Sequence, residues 1–383
     1  MKNIYNNINL LLICTIFFVG CKSNSEENEK VVATTSEEQE QEKGLKDYYS
    51  EYFPVGVAVA PNSFEGKSKE LILQHYNSMT PENVMKMGEI HPEQNRYYWE
   101  AADKIANFAR EHDMKMRGHA LVWHQQTGDW IFKAEDGGQV SKEELLQRMK
   151  NHIDTVVSRY KGTIYAWDVV NEAISDDPDE FLRKSEWYDI AGEDFIIKAF
   201  EYAHEADPEA KLFYNDYNAV IPEKRDRIYK LLKMLVDRDV PIDGVGIQGH
   251  WSIIDPSEQE LRKAIDMYSS LGLDVQITEL DVSIYPWEKE RREMREDESD
   301  EFTPELQQQQ VDKYKMFFDV FRDYKGVLTG LTFWNIADAY SWLDYYPVEG
   351  RKNYPLLFDE DYEPKEAYYE VTEFEETPDE NEE

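Results

Sequence analysis

The chain has 383 residues, 41% hydrophobic and 13% aromatic with 25 Tyr and 9 Trp, enough for one large core and a surplus of flat amphipathic rings. Its formal net charge of −37 is not confined to the ends: residues 1–21 carry +1, 22–50 carry −4 and 359–383 carry −12, which leaves −22 for residues 51–358. An acidic body excludes a phosphate-binding face, and with it nucleic acid as a partner.

The dense carboxylates read first as a solvated, soluble surface. The sharper alternative is adaptation to salt, under which repulsion is screened and activity persists in molar NaCl. The two cysteines, Cys14 and Cys21, both lie near the N-terminus. The rest of the chain therefore offers no disulfide framework, zinc site or thiol nucleophile, and neither metal nor cofactor is expected.

In chain order, Lys2 is the sole charge before the apolar run Leu10 to Val19. That run is too short to span a bilayer and fits the apolar region of a signal peptide. It ends in Phe18-Val19-Gly20-Cys21, which resembles a bacterial lipobox, with Phe18 where Leu is usual. The resemblance implies a signal peptide over residues 1–20, cleavage before Cys21 and lipidation of its thiol. The expected protein is exported and membrane-anchored, with ordinary secretion as the alternative. The acidic start after Cys21 is similar to surface-export tags of bacterial lipoproteins, which points to the cell surface. Residues 21–50 read as this lipidated Cys and a disordered acidic tether, 51–372 as one folded domain and 373–383 as an acidic tail.

Within the domain, short apolar runs alternate with longer amphipathic ones. The expected strands are Val55–Ala60, His75–Met79, Lys115–Val122, Ile164–Val170, Lys211–Asn215, Ile242–Gln248, Asp274–Thr278 and Leu328–Trp334. Helical patterns cover Trp99–His112, Lys142–Tyr160, Asp194–Ala206, Glu223–Asp239, Ser257–Leu271 and Pro304–Tyr324. Eight strands alternating with helices predict an α/β fold, the (β/α)8 TIM barrel. A doubly wound open sheet is the alternative, but no Gly-rich phosphate loop follows the first strand.

Most strands end on chemistry-bearing residues. Glu82, Asn83 and Lys86 follow the second; His119, Trp123 and His124 close the third; Asn171 and Glu172 close the fourth. Asn215 and Asp216 end the fifth, Gln248 and His250 the sixth, Glu279 the seventh and Trp334 the eighth. In a barrel all these ends share one face, where active sites are built. Taken alone, each Glu reads as a strand-end carboxylate in a salt bridge. Glu172 and Glu279 together, 107 residues or three βα units apart, suit glycoside hydrolysis, in which one carboxyl protonates the leaving oxygen and the other attacks the anomeric carbon.

Neighbours lean toward Glu172 as the acid, because apolar Val169-Val170 and an amide precede it. Glu279 would be the ionised partner, with His250 and Asn171 as donors and Asp281 orienting His250. On residues alone the opposite order stays open.

His119 and His124 sit too far round a strand end to ligate one metal without a third ligand. Asp176-Asp177-Pro178-Asp179 lacks the Gly and terminal Glu of an EF-hand.

Eight segments carry a resemblance to glycoside hydrolase family 10, the endo-β-1,4-xylanases. They are Met79 to Lys86, Gly118 to Gln126, Trp167-Asp168-Val169-Val170-Asn171-Glu172-Ala173, Asn215-Asp216-Tyr217-Asn218, Gly246 to His250, and Ile277 to Asp281, followed by Phe333-Trp334 and Ser341-Trp342. The resemblance covers residues 51–372 and implies a catalytic domain that hydrolyses xylan with retention. It implies Glu172 as acid/base and Glu279 as nucleophile. Asn171 would hold the sugar 2-hydroxyl, while Lys86, His119, Trp123, Gln248 and His250 line the same subsite. Glu82 and Asn83 would bind the next sugar on the non-reducing side, and Tyr217 would face the leaving side.

Trp334 and Trp342 would close over a xylose ring, whose missing hydroxymethyl makes room for them and so disfavours cellulose. Xylan is then the expected partner and a monomer the expected state. Three features depart from the family: Met87 stands where Trp is usual, Asn335 where Gly is common, and Glu288 to Glu301 is a charged insertion expected as a mobile loop.

Overall fold

A computed structural model describes residues 43–374. Eight parallel strands close on themselves: β1 (Val55–Val59), β2 (Ser78–Pro81), β3 (Lys115–Val122), β4 (Ile164–Asn171), β5 (Lys211–Asp216), β6 (Gly244–Ile247), β7 (Asp274–Ser283) and β8 (Leu328–Phe333). Each pairs with the next, and β8 pairs with both β7 and β1, Leu331 lying opposite Val55. The fold is the (β/α)8 barrel. Its strands are buried almost throughout because both of their faces are covered; all five residues of β1 are buried.

The helices between strands are amphipathic and begin where the sequence places caps. Ser141 accepts from the Glu144 N–H, Ser257 and Glu260 form a reciprocal box, and Thr303 precedes Pro304 in the first turn. In helix Lys142–Tyr160, buried Leu145, Met149, Ile153, Val156 and Tyr160 form one stripe toward the core.

Register matters most across β4, β5 and β6, where Asn171 lies opposite Asn215 and Asn215 opposite Gly246. A Cβ on Gly246 would fall 2.2 Å from Asn215 Oδ1, so glycine is what lets the Asn215 side chain lie across β6.

The structure revises several sequence expectations. His75 ends a helix, Gly66–His75, and the second strand starts at Ser78; a short apolar run does not separate the two periods. The sixth strand stops at Ile247, because Gly249 turns the chain at φ +85°, and His250–Ser252 resumes as a short strand against the far end of β7. Residues 43–50 are not tether: Leu45–Tyr48 is helical, Leu45 and Tyr49 are buried, and the Tyr49 hydroxyl donates to the Val371 carbonyl. Phe374 packs on Tyr49 and Tyr52, so the folded domain extends beyond 51–372 at both ends. A four-residue helix is too short to show a period.

The insertion is knit rather than loose. Arg292–Glu293 pairs with Val348–Glu349, and the Arg292 guanidinium bridges Glu288 at 2.7 Å and Glu298 at 2.6 Å. The expected signal peptide, Cys21, the first part of the tether and residues 375–383 lie outside the described residues.

Candidate active site

The C-terminal strand ends open into one cavity of about 570 Å³. Glu172 and Glu279 both line it, as do Glu82, Asn83, Lys86, His119, Trp123, Asn171, Tyr217, Gln248, His250, Asp281, Trp334 and Trp342. Of the strand-end residues singled out for chemistry, all but His124, Asn215 and Asp216 line this cleft.

The two carboxylates differ in what surrounds them. Glu172 follows β4 with φ +58°, a left-handed conformation that L residues adopt at a cost. Its carboxylate accepts from Trp123 Nε1 at 2.7 Å and from Gln248 Nε2 at 2.9 Å, and His124 Nδ1 lies 4.0 Å away. Burial first, then the charges of Asp216 and Glu279, push its carboxyl above the usual range.

Burial would do the same to Glu279. The hydrogen bond from His250, at 3.2 Å, and the proximity of His119 outweigh it and hold Glu279 below the usual range. Burial also disfavours the His250 imidazolium, yet the carboxylates of Asp281, 2.8 Å from Nδ1, and Glu279 hold its pKa up to about 10. Trp342 Nε1 donates to the same Asp281 oxygen at 2.8 Å.

The second donor to Glu279 is Asn215 Nδ2, at 2.7 Å, and not Asn171 as expected. Asn215 also lies 2.9 Å from Asn171 and accepts from Thr278 Oγ1 at 2.6 Å. Its position at the end of the fifth strand was legible; its direction depends on the register with Gly246, which sequence alone does not show.

The walls are aromatic and charged. His119 and His250 meet the Trp334 ring at centroid distances of 5.4 and 6.2 Å, and His250 meets Trp342 at 4.8 Å. Beneath them Arg117 and Asp168 form a buried ion pair at 2.6 Å, with His119 Nδ1 2.9 Å from the same carboxylate. Burial alone would raise Asp168; Arg117 and His119 hold it below the usual range.

Lys86 donates to Asn83 at 2.9 Å and stands 4.9 Å from the Trp123 ring; burial lowers its pKa against the pull of Glu279, Glu82 and Glu172. Asn335, the unusual residue after Trp334, donates to Glu82 at 3.3 Å and has φ +123°. The Tyr217 hydroxyl accepts from Arg183 at 2.9 Å and donates to Asp176.

Tyr285, Trp287 and Tyr346 also line the cleft and had not been singled out. Trp287 is half exposed, 6.0 Å from Trp342 and 5.7 Å from Tyr346. Its signal was its place between the seventh strand and the charged insertion. Among the described residues no group of three or more His, Cys, Asp or Glu is arranged to hold a metal ion.

The family model for glycosyl hydrolase family 10 matches residues 44–374. Endo-1,4-beta-xylanase A of Caldicellulosiruptor saccharolyticus is 48% identical over 86% of this chain and 95% of its own length. Beta-1,4-xylanase of Dictyoglomus thermophilum is also 48% identical, over 86% of this chain and 90% of its own. The crystal structure of an endo-1,4-beta-xylanase from Caldicellulosiruptor owensensis superposes with a TM-score of 0.83 at 48% identity, covering 87% of this chain and 100% of that one. A match of this extent, on a barrel whose strand ends carry two oppositely tuned carboxylates, places the chain in glycosyl hydrolase family 10.

Proposed function

We propose that the protein is an endo-1,4-β-xylanase that cleaves internal xylosidic bonds with retention, Glu172 serving as acid/base and Glu279 as nucleophile. One observation carries the division of roles: in a single cleft, burial and Asp216 push Glu172 up while His250 and its neighbours hold Glu279 down. The names of the relatives support the substrate class.

In the first step the Glu172 carboxyl gives its proton to the glycosidic oxygen and Glu279 attacks the anomeric carbon. Glu279 then becomes a neutral ester. One of the charges that raised Glu172 disappears, and its pKa falls. The same residue is thereby made a base, able to take the proton of the incoming water. Asn215 and His250 act on the nucleophile, Trp123 and Gln248 on the acid. The sugar at the cleavage point would lie under Trp334 and Trp342, with Lys86, His119 and Asn171 on its hydroxyls and Glu82 and Asn83 on the next unit. Tyr217 would meet the leaving chain.

Incubation with glucuronoarabinoxylan and with carboxymethylcellulose tests the reading. Xylo-oligosaccharides of mixed length, from xylan alone, are expected. Xylose as sole product would mean an exo enzyme, and no reducing ends from either polymer a binding protein. Glu279→Ala should lose at least about 10³-fold in kcat, because no covalent intermediate can form.

Export and anchoring through a lipid on Cys21 complete the proposal, with the domain acting as a monomer. The lipobox-like segment ending the apolar run supports the anchor. Cys21→Ala should move the protein from the membrane fraction to the soluble one; unchanged fractionation speaks against the lipid.

A further inference from the structure

The turn that carries Glu172 is fastened by buried groups outside the cleft. The Tyr214 hydroxyl accepts from the backbone N–H of Ala173 at 3.0 Å and of Ile174 at 3.1 Å, the two residues after Glu172. It donates to Asp216 Oδ2 at 2.5 Å. The other Asp216 oxygen lies 2.9 Å from Lys224 Nζ, which reaches Asp176 at 3.2 Å. Tyr214 and Asp216 are fully buried, and neither lines the cleft, so neither touches substrate. Glu172 itself holds a left-handed φ of +58°, and a turn of that kind persists only where its surroundings over-determine it.

We propose that Tyr214 and Asp216 are positioning residues for the acid/base: the hydroxyl clamps the strained turn, and the carboxylate, ion-paired with Lys224 and next to Asn215, whose carbonyl accepts from the Glu172 N–H, brings negative charge beside Glu172. The proposal rests on the reading of Glu172 as acid/base and goes beyond it. Asp216 is, after burial, the largest influence raising the Glu172 carboxyl. Burial pushes Asp216 itself up, while Lys224 and Tyr214 hold it back.

The other ionisable groups facing Glu172 are His124 after β3, Glu279 on β7, Tyr217 after β5 and Lys86 after β2. Those facing Asp216 also include Arg183 and Tyr268. Burial lowers His124 to about 4, so it is neutral where an alkaline limb would be read.

The test compares kcat/KM against pH on a xylo-oligosaccharide, whose leaving oxygen must be protonated, and on dinitrophenyl β-xylobioside, whose leaving group departs without a proton. Loss of the Asp216 charge makes ionised Glu172 easier to form. Asp216→Asn should therefore move the alkaline limb for the oligosaccharide about one unit toward acid, with the acid limb in place. It should lower the neutral-pH rate on that substrate about tenfold and change the aryl glycoside by less than about threefold. Tyr214→Phe, which removes only the hydroxyl, should likewise cost more on the oligosaccharide than on the aryl glycoside. An unmoved alkaline limb in Asp216→Asn, or equal losses on both substrates in either variant, overturns the proposal. Glu172→Ala is the control for the underlying reading. It should lose about 10²-fold or more on the oligosaccharide and far less in kcat/KM on the aryl glycoside. If it keeps the oligosaccharide activity, the acid/base assignment fails whatever Asp216 does.

Discussion

At the scale of residues, Glu172 and Glu279 are one chemical group in two settings, and the setting of Glu279 is the more readily altered. His250 is held cationic up to about 10 by Asp281 and Glu279, so it stays charged across the working range and favours ionised Glu279 throughout. A nucleophile held below the usual carboxylate range puts the acid limb of kcat/KM low, since activity needs Glu279 ionised. His250→Asn removes that cation. Glu279 then protonates more readily, and the acid limb should rise by about one pH unit, read from kcat/KM profiles on xylo-oligosaccharide. A limb that does not move would show that Asn215 and His119 hold the nucleophile without His250. Strand-end position made His250 and Asp281 legible as a pair. It suggested Asn171 as the second donor, where register supplies Asn215 instead.

At the scale of elements, β5 and β6 set that donor in place. Asn215 can reach Glu279 because Gly246, opposite it on β6, has no side chain. An added Cβ would meet Asn215 Oδ1 at 2.2 Å and Thr278 Cγ2 at 2.8 Å. Gly246→Ala should cost about 1–3 kcal/mol of stability, the range for overpacking a core. It should also lower kcat more than it raises KM, because the displaced amide serves the nucleophile. Urea unfolding and steady-state kinetics check both parts, and unchanged values in both would remove the glycine from the account. The long elements were legible because their patterns run for several periods: helix Lys142–Tyr160 and strand β3 have the bounds read from sequence. Helices Leu45–Tyr48, Met87–Ile90 and Glu186–Ala191 were not, being only one or two turns long.

At the scale of the whole molecule, buried histidines make the fold sensitive to acid. Burial lowers His75 to about 4 and His152 to about 3, and His91, 3.1 Å from His152, is lowered as well. A histidine depressed in the folded state contributes stability that is complete above its unfolded value near 6.5 and is lost as pH falls toward its folded value. Each adds a slope of up to about 1.4 kcal/mol per pH unit in that window. Unfolding free energy from urea titrations should therefore drop by a few kcal/mol between about pH 6.5 and 5. A flat profile there would mean that these rings find a proton's place without unfolding.

By itself the sequence determined the alternation of strands and helices, the acidic body and the identity of the residues at the strand ends. Each of these is local: a period, a composition, or a residue next to a boundary. The tertiary structure decided what is relational. Barrel closure brings Glu172 and Glu279 into one cleft, register chooses Asn215 over Asn171 as the nucleophile's donor, and burial beside Asp216 or His250 gives two identical carboxyls opposite tendencies. Proton affinity is a property of surroundings, and for these groups the surroundings are assembled from segments as distant in the chain as His119 and Asp281.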